Sequence, residues 1–213
     1  MTYPILAHVS AASYSIPASI GIWRFRRLEK PMKLLAILAV LACIQLGVEF
    51  LVAKWIHNNS AETDYYEFIE FWFLWAVYFV FLPKKGYRLL LILLGTLFAA
   101  TWIIRISCSP DTIGMGSSVN IASRIVLVAV SLVALYSLVT TGTSRLVEVP
   151  VFWVAMGVIL YSAGTVMVVG FGPRLLKLGM PYFEMAWRIN WLLTIAANLL
   201  YAKGLLCRVR QLK

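Results

Sequence analysis

The chain has 213 residues, 62% hydrophobic and 13% charged, with a mean hydropathy of +0.85. One soluble core cannot bury that much apolar surface, so the composition excludes an ordinary water-soluble domain and makes lipid the solvent. A net charge of +10 would suggest nucleic acid in a soluble protein; in a membrane protein it reads as loop bias, and no nucleic-acid partner is expected.

Apolar runs fall at 4–23, 33–54, 65–82, 87–107, 119–140, 150–171 and 182–204. Each is about twice the length of a barrel strand and lacks strict alternation, which leaves helices as the way to satisfy the backbone in lipid. The expectation is an all-α integral membrane protein: a seven-transmembrane helix bundle, multi-pass in a cytoplasmic or plasma membrane, with 1–213 as a single domain and no appended soluble domain.

The first run contributes His8 and is followed by Arg24, Arg26, Arg27, Lys30 and Lys33. A cleavable signal peptide has the opposite polarity, so this segment is read as retained. The second run carries Gln45 and Glu49 one turn apart. The third opens DYYEFIEFWFLW, with Asp64 suited to an N-cap, Glu67 one turn on, and Glu70 too deep for capping. The fourth ends with Thr101 and Arg105, and the loop SCSPDTIGMGSS after it reads as an ordinary turn, since no strand precedes its glycines and no lysine follows them. The fifth begins with Asn120, Ser123 and Arg124. On the sixth, Gly157 and Gly164 lie two turns apart on one stripe and permit close packing, an oligomer included. PRLLKLGMPY, next in the chain, reads as an amphipathic segment on the outer surface. The seventh places Glu184, Arg188, Trp191, Asn190, Thr194, Asn198 and Tyr201 on one arc, with Glu184 and Arg188 as an i, i+4 pair.

Orientation follows from Lys and Arg. The loops after the first, third and fifth runs and the C-terminus hold thirteen, against four on the other side. The positive-inside rule then puts the N-terminus outside and the C-terminus in the cytoplasm. In that orientation the buried polar residues gather in the outer halves. A charge near the bilayer middle costs roughly 2.5 to 3.5 kcal/mol, so such groups should pair or share a wet cavity. Glu49, Glu67, Glu70 and Glu184 face Arg105, Arg124 and Arg188, with His8 as a further cation, a set close to neutral. With Asn190 these are the candidate ligand or ion-network residues. Trp72, Trp75, Trp191 and Tyr161 are candidate pocket walls; most other Trp and Tyr suit an aromatic belt.

Several chemistries lack their residues. A retinal Schiff base needs a lysine in the middle of the last helix, where only the rim residue Lys203 is found. Two histidines are too few for a zinc hydrolase, Cys43, Cys108 and Cys207 show no metal or disulfide spacing, and Asp64 and Asp111 lie at rims. No metal, cofactor or enzymatic activity is expected. What remains is a membrane protein with an outward-facing polar cavity that binds or senses a small polar or zwitterionic molecule, its signal passing through a cytoplasmic or membrane partner protein. A secondary, proton-coupled transporter is the alternative, which needs a polar path continuing inward past Asn198, Tyr201 and Ser137. A structural or accessory subunit, its charges fixing helix packing, is the third class.

Overall fold

The computed structural model describes residues 5–55, 60–82, 85–108, 118–140 and 145–207, with the side chains of 52–55, 60–64, 105–106, 108 and 118 outside the description. Among the described residues there are α-helices and short 3-10 turns, and no strand. The helices are α1 (Ile5–Ser13), α2 (Ser15–Arg24), α3 (Lys30–Trp55), α4 (Ser60–Phe81), α5 (Lys85–Cys108), α6 (Ser118–Thr140), α7 (Pro150–Leu178) and α8 (Met180–Leu206).

Six segments are long and apolar enough to cross a membrane: Ile5–Arg27, Lys30–Leu51, Lys85–Ile104, Val119–Thr140, Pro150–Leu178 and Met180–Leu206. The chain is therefore a helical, multi-pass integral membrane protein. The six do not include α4, the third predicted span, whose side chains are described only from Tyr65 onward.

Three sequence expectations change. The first predicted helix is broken at Tyr14 into α1 and α2. Pro17 has no N–H to give the Ser13 carbonyl and its ring crowds that oxygen, so the ladder fails one turn upstream of the proline. The Tyr14 amide turns to Ala11 O at 3.3 Å, and the Ser13 and Ser15 hydroxyls bond Ser10 O and Ala12 O, each at 2.6 Å. PRLLKLGMPY is not a separate surface segment. α7 runs through Pro173 to Leu178, and one residue, Gly179, reverses the chain with φ 127. That conformation is open to glycine and strained for other residues. Finally, α4 begins at Ser60, so Asp64 lies inside the helix rather than at its cap. The 109–117 loop lies outside the described residues.

Helix contacts close a ring in the order α2, α3, α4, α6, α7, α8 and back to α2. α1 leans on α8, and α5 packs on α4 and α6 from outside the ring. Lipid tails give no hydrophobic drive for helices to associate, so close approach depends on small residues. A Cβ on Gly21 would lie 2.7 Å from Ala36 Cβ, which seats α2 on α3; a Cβ on Gly157 would lie 2.5 Å from Tyr201 Cε1, and one on Gly164 2.7 Å from Asn190 Oδ1. The Gly157/Gly164 stripe thus faces α8 of the same chain. α5 is held by aromatics: the Trp75 indole donates to Leu91 O at 3.1 Å and covers Gly95, while Phe71 and Phe98 centroids lie 3.8 Å apart.

At one end of the bundle, Arg24 Nη1 donates to Leu205 O at 2.8 Å, and Trp153 Nε1 and Cys207 Sγ both reach Val147 O. The end of α2, the start of α7 and the end of α8 therefore share one face of the molecule. Just outside α8, burial pushes the Cys207 thiol above its usual range, against the opposing charges of Lys203 and Arg24.

Candidate functional site

The ring interior gathers Glu67 and Glu70 from α4, Arg124 from α6 and Tyr161 from α7. Arg124 lies six residues, about 9 Å of rise, past the start of α6. Glu67 and Glu70 are one turn apart and present both carboxylates to it. Arg124 is 1% exposed and Glu70 6%. Arg124 Nη2 lies 2.7 Å from Glu70 Oε2 and 3.6 Å from Glu67 Oε1, while the guanidinium carbon sits 4.7 Å from the centre of the Tyr161 ring. The ring face adds a cation–π contact to two charge contacts. Fully buried arginine is rare unless paired, and both kinds of partner are present.

Three further tyrosines complete the surroundings. Tyr14, at the break between α1 and α2, hydrogen-bonds with Tyr161; Tyr66 and Tyr201 lie within electrostatic reach of Glu70 and Arg124. The interruption of the hydrogen-bond ladder falls at the tyrosine that meets the cluster, and the backbone there stays helical (φ -64, ψ -27). Beside it, Asn198 Nδ2 donates to Ser13 Oγ at 2.8 Å, so α8 holds the broken point. Toward the other end of α4, Tyr78 OH and Ser131 Oγ lie 2.7 Å apart, both buried, and Ser131 also donates to Leu127 O.

The network is not fully satisfied. Arg124 Nη2 and Glu70 Oε2 form a close ion pair at 2.7 Å. Among the described residues Arg124 Nε and Tyr201 OH have no hydrogen-bond partner. The guanidinium of Arg124 is enclosed by the surrounding helices at 1% exposure.

The other predicted site residues are placed elsewhere. Glu184 and Arg188 pair with each other at 3.6 Å on an exposed face, their side chains 58% and 62% accessible, so the structure does not bring them to the cluster. The polar arc of the last helix divides: Asn190, Thr194 and Asn198 are buried while the charged edge turns out. Asn190 meets Gly164 of α7. Glu49 is half-buried beside Gln45 Nε2 at 3.4 Å, and His8 is exposed. The Arg105 side chain lies outside the described residues. Of the candidate pocket walls only Tyr161 reaches Arg124; Trp72 and Trp75 pack against α5, and Trp191 lies beside Trp187, centroids 6.1 Å apart.

Tyr14 was not legible as a site residue. Its only signal was Pro17 three residues on, which marks a weak point in the helix without saying what the break faces. An apolar groove of about 390 Å³ between α7 and α8, lined by residues such as Met167, Phe171 and Met185, includes none of the cluster's residues. Among the described residues no three His, Cys, Asp or Glu side chains come together as a metal shell.

No protein-family model, curated protein or solved structure matches this chain.

Proposed function

We propose that the protein spans the membrane seven times, N-terminus outside and C-terminus cytoplasmic, and that it binds or senses a small polar molecule at Arg124, Glu70 and Glu67 inside the ring. The observation that carries this reading is the state of Arg124. Its guanidinium is 1% exposed within a membrane bundle, yet its Nε has no hydrogen-bond acceptor among the described residues. A group that served packing alone would be expected to have its donors satisfied, because an unmade hydrogen bond is most unfavourable where water is excluded.

The span count rests on α4, whose 22 residues pack between α3 and α6 as a member of the ring. The orientation rests on the shared end of α2, α7 and α8, which carries Arg24, Arg26, Arg27, Arg145 and Lys203, a cytoplasmic pattern. A green fluorescent protein fused to the C-terminus should fluoresce in cells and an alkaline phosphatase fusion there should be inactive. The opposite pair of results rejects the orientation. A sensing role requires a partner protein to receive the signal.

A secondary transporter is the second reading, favoured by the polar groups that continue from the cluster along the ring: Tyr201, the Asn198–Ser13 pair and the Tyr78–Ser131 pair.

The experiment is a thermal-shift screen of small polar metabolites on the protein in lipid nanodiscs, followed by uptake into proteoliposomes for each compound that stabilises it. Binding predicts stabilisation that is lost in Arg124→Lys, a change that keeps the charge and removes the planar fork. Transport adds saturable uptake. Stabilisation unchanged in Arg124→Lys would remove this site from consideration.

A further inference from the structure

We propose that the Arg124 site takes a zwitterion, a small molecule carrying an ammonium and a carboxylate a few bonds apart, as free amino acids do. The proposal rests on the binding role given above to this cluster and names the chemistry of its ligand.

The polar atoms of the cluster are of two kinds. Arg124 Nε and Nη2 are donors on one edge of a planar guanidinium, and two parallel donors match the two oxygens of a carboxylate. Glu70 Oε2 is an acceptor paired with Nη2 at 2.7 Å, and Glu67 Oε1 lies 3.6 Å from the same nitrogen, so one guanidinium faces two carboxylates. Donors and acceptors therefore stand next to each other, each buried and each held in place by the other's charge. A simple anion would satisfy the arginine edge but would meet two carboxylates. A simple cation would satisfy Glu70 but would displace or repel Arg124.

A zwitterion answers both: its carboxylate takes the Nε–Nη2 edge while its ammonium donates to Glu70. The Tyr201 hydroxyl, also without a partner, is a further donor within reach of the same charges, and the Tyr161 ring supports Arg124 from its face. The carbon skeleton of the ligand would meet the surrounding tyrosine rings, of which Tyr14 lies at the helix break.

The test uses the full chain in nanodiscs and reads its melting temperature by intrinsic fluorescence from its eight tryptophans. The probes are the free amino acids, singly, with sodium acetate as carboxylate alone, methylammonium chloride as amine alone, and glycerol as a neutral polar control. At about a hundredfold over Kd, a matching amino acid should raise the melting temperature by about 5 °C, and neither half molecule should do so at the same concentration. The shift should disappear in Arg124→Lys and fall in Glu70→Gln, whose shape is kept; Tyr201→Phe, which removes only a hydroxyl, should weaken binding several-fold without unfolding the protein. Stabilisation by acetate or methylammonium alone, or by a neutral compound, with dependence on Arg124 would overturn the zwitterion assignment and leave the binding site standing. Absence of stabilisation by any probe or by the wider metabolite set would overturn both.

Discussion

Two Glu–Arg pairs among the described residues of the helix bundle, Arg124–Glu70 and Arg188–Glu184, have surroundings that make them different objects. Arg124 and Glu70 approach to 2.7 Å with side chains 2% and 8% accessible, under a tyrosine ring and inside a ring of helices. Arg188 and Glu184 sit one turn apart on α8 at 3.6 Å with side chains 62% and 58% accessible. The sequence offered the second as an i, i+4 pair and the residues of the first as network candidates without pairing them, and both pairs lie several residues from a helix end. The difference shows that depth along a helix does not decide the role of a membrane charge; the helix face and its neighbour do. A charge facing α4 or α7 across the ring is locked in, whereas one on the outer face of α8 can reach the interface along its own stem.

The comparison can be broken by substitution. Arg124→Gln leaves Glu67 and Glu70 buried without their guanidinium, and should destabilise the bundle by about 3–5 kcal/mol. Arg188→Gln should change stability by no more than about 0.5 kcal/mol, as expected of an exposed i, i+4 pair. Reversible unfolding of the two variants in mixed micelles measures the contrast, and equal losses would erase the distinction.

Next in size is the contact that closes the ring behind the cluster. Gly157→Leu drives a side chain into the Tyr201 ring, 2.5 Å from where its Cβ would lie, and should lower stability by about 1–3 kcal/mol. The same substitution at Gly47, with nothing within 4 Å of a Cβ, should be tolerated. Smaller still, Tyr78→Phe removes the bond to Ser131 in the ring interior and should lower stability by about 0.5–1 kcal/mol. Its effect sharpens the comparison because the polar line, unlike the α8 surface pair, has no solvent to replace a lost partner.

The sequence specified the spans well because apolar run length is a direct response to bilayer thickness. Runs placed at 33–54, 87–107 and 119–140 correspond to Lys30–Trp55, Lys85–Cys108 and Ser118–Thr140. It was weakest at prolines. Pro17 interrupts the hydrogen-bond ladder of the first segment at Tyr14, while Pro173 leaves α7 continuous, and the residue type alone does not separate the two outcomes. Glu67, Glu70, Arg124 and Tyr161 were legible as charged or aromatic residues out of place in lipid. Their convergence was not, since it depends on the order in which helices close the ring. The polar arc of the last helix misled for a related reason: Asn198 and Tyr201 on it turn inward, while Glu184 and Arg188 at its edge turn out.

The most direct measurement is the ligand-induced shift in melting temperature compared between Arg124→Lys and Arg188→Lys, using the compound that most stabilises the unaltered protein. If the buried cluster is the binding site, Arg188→Lys keeps the full shift and Arg124→Lys loses it. A shift retained in both variants, or lost equally in both, would contradict a binding role for Arg124.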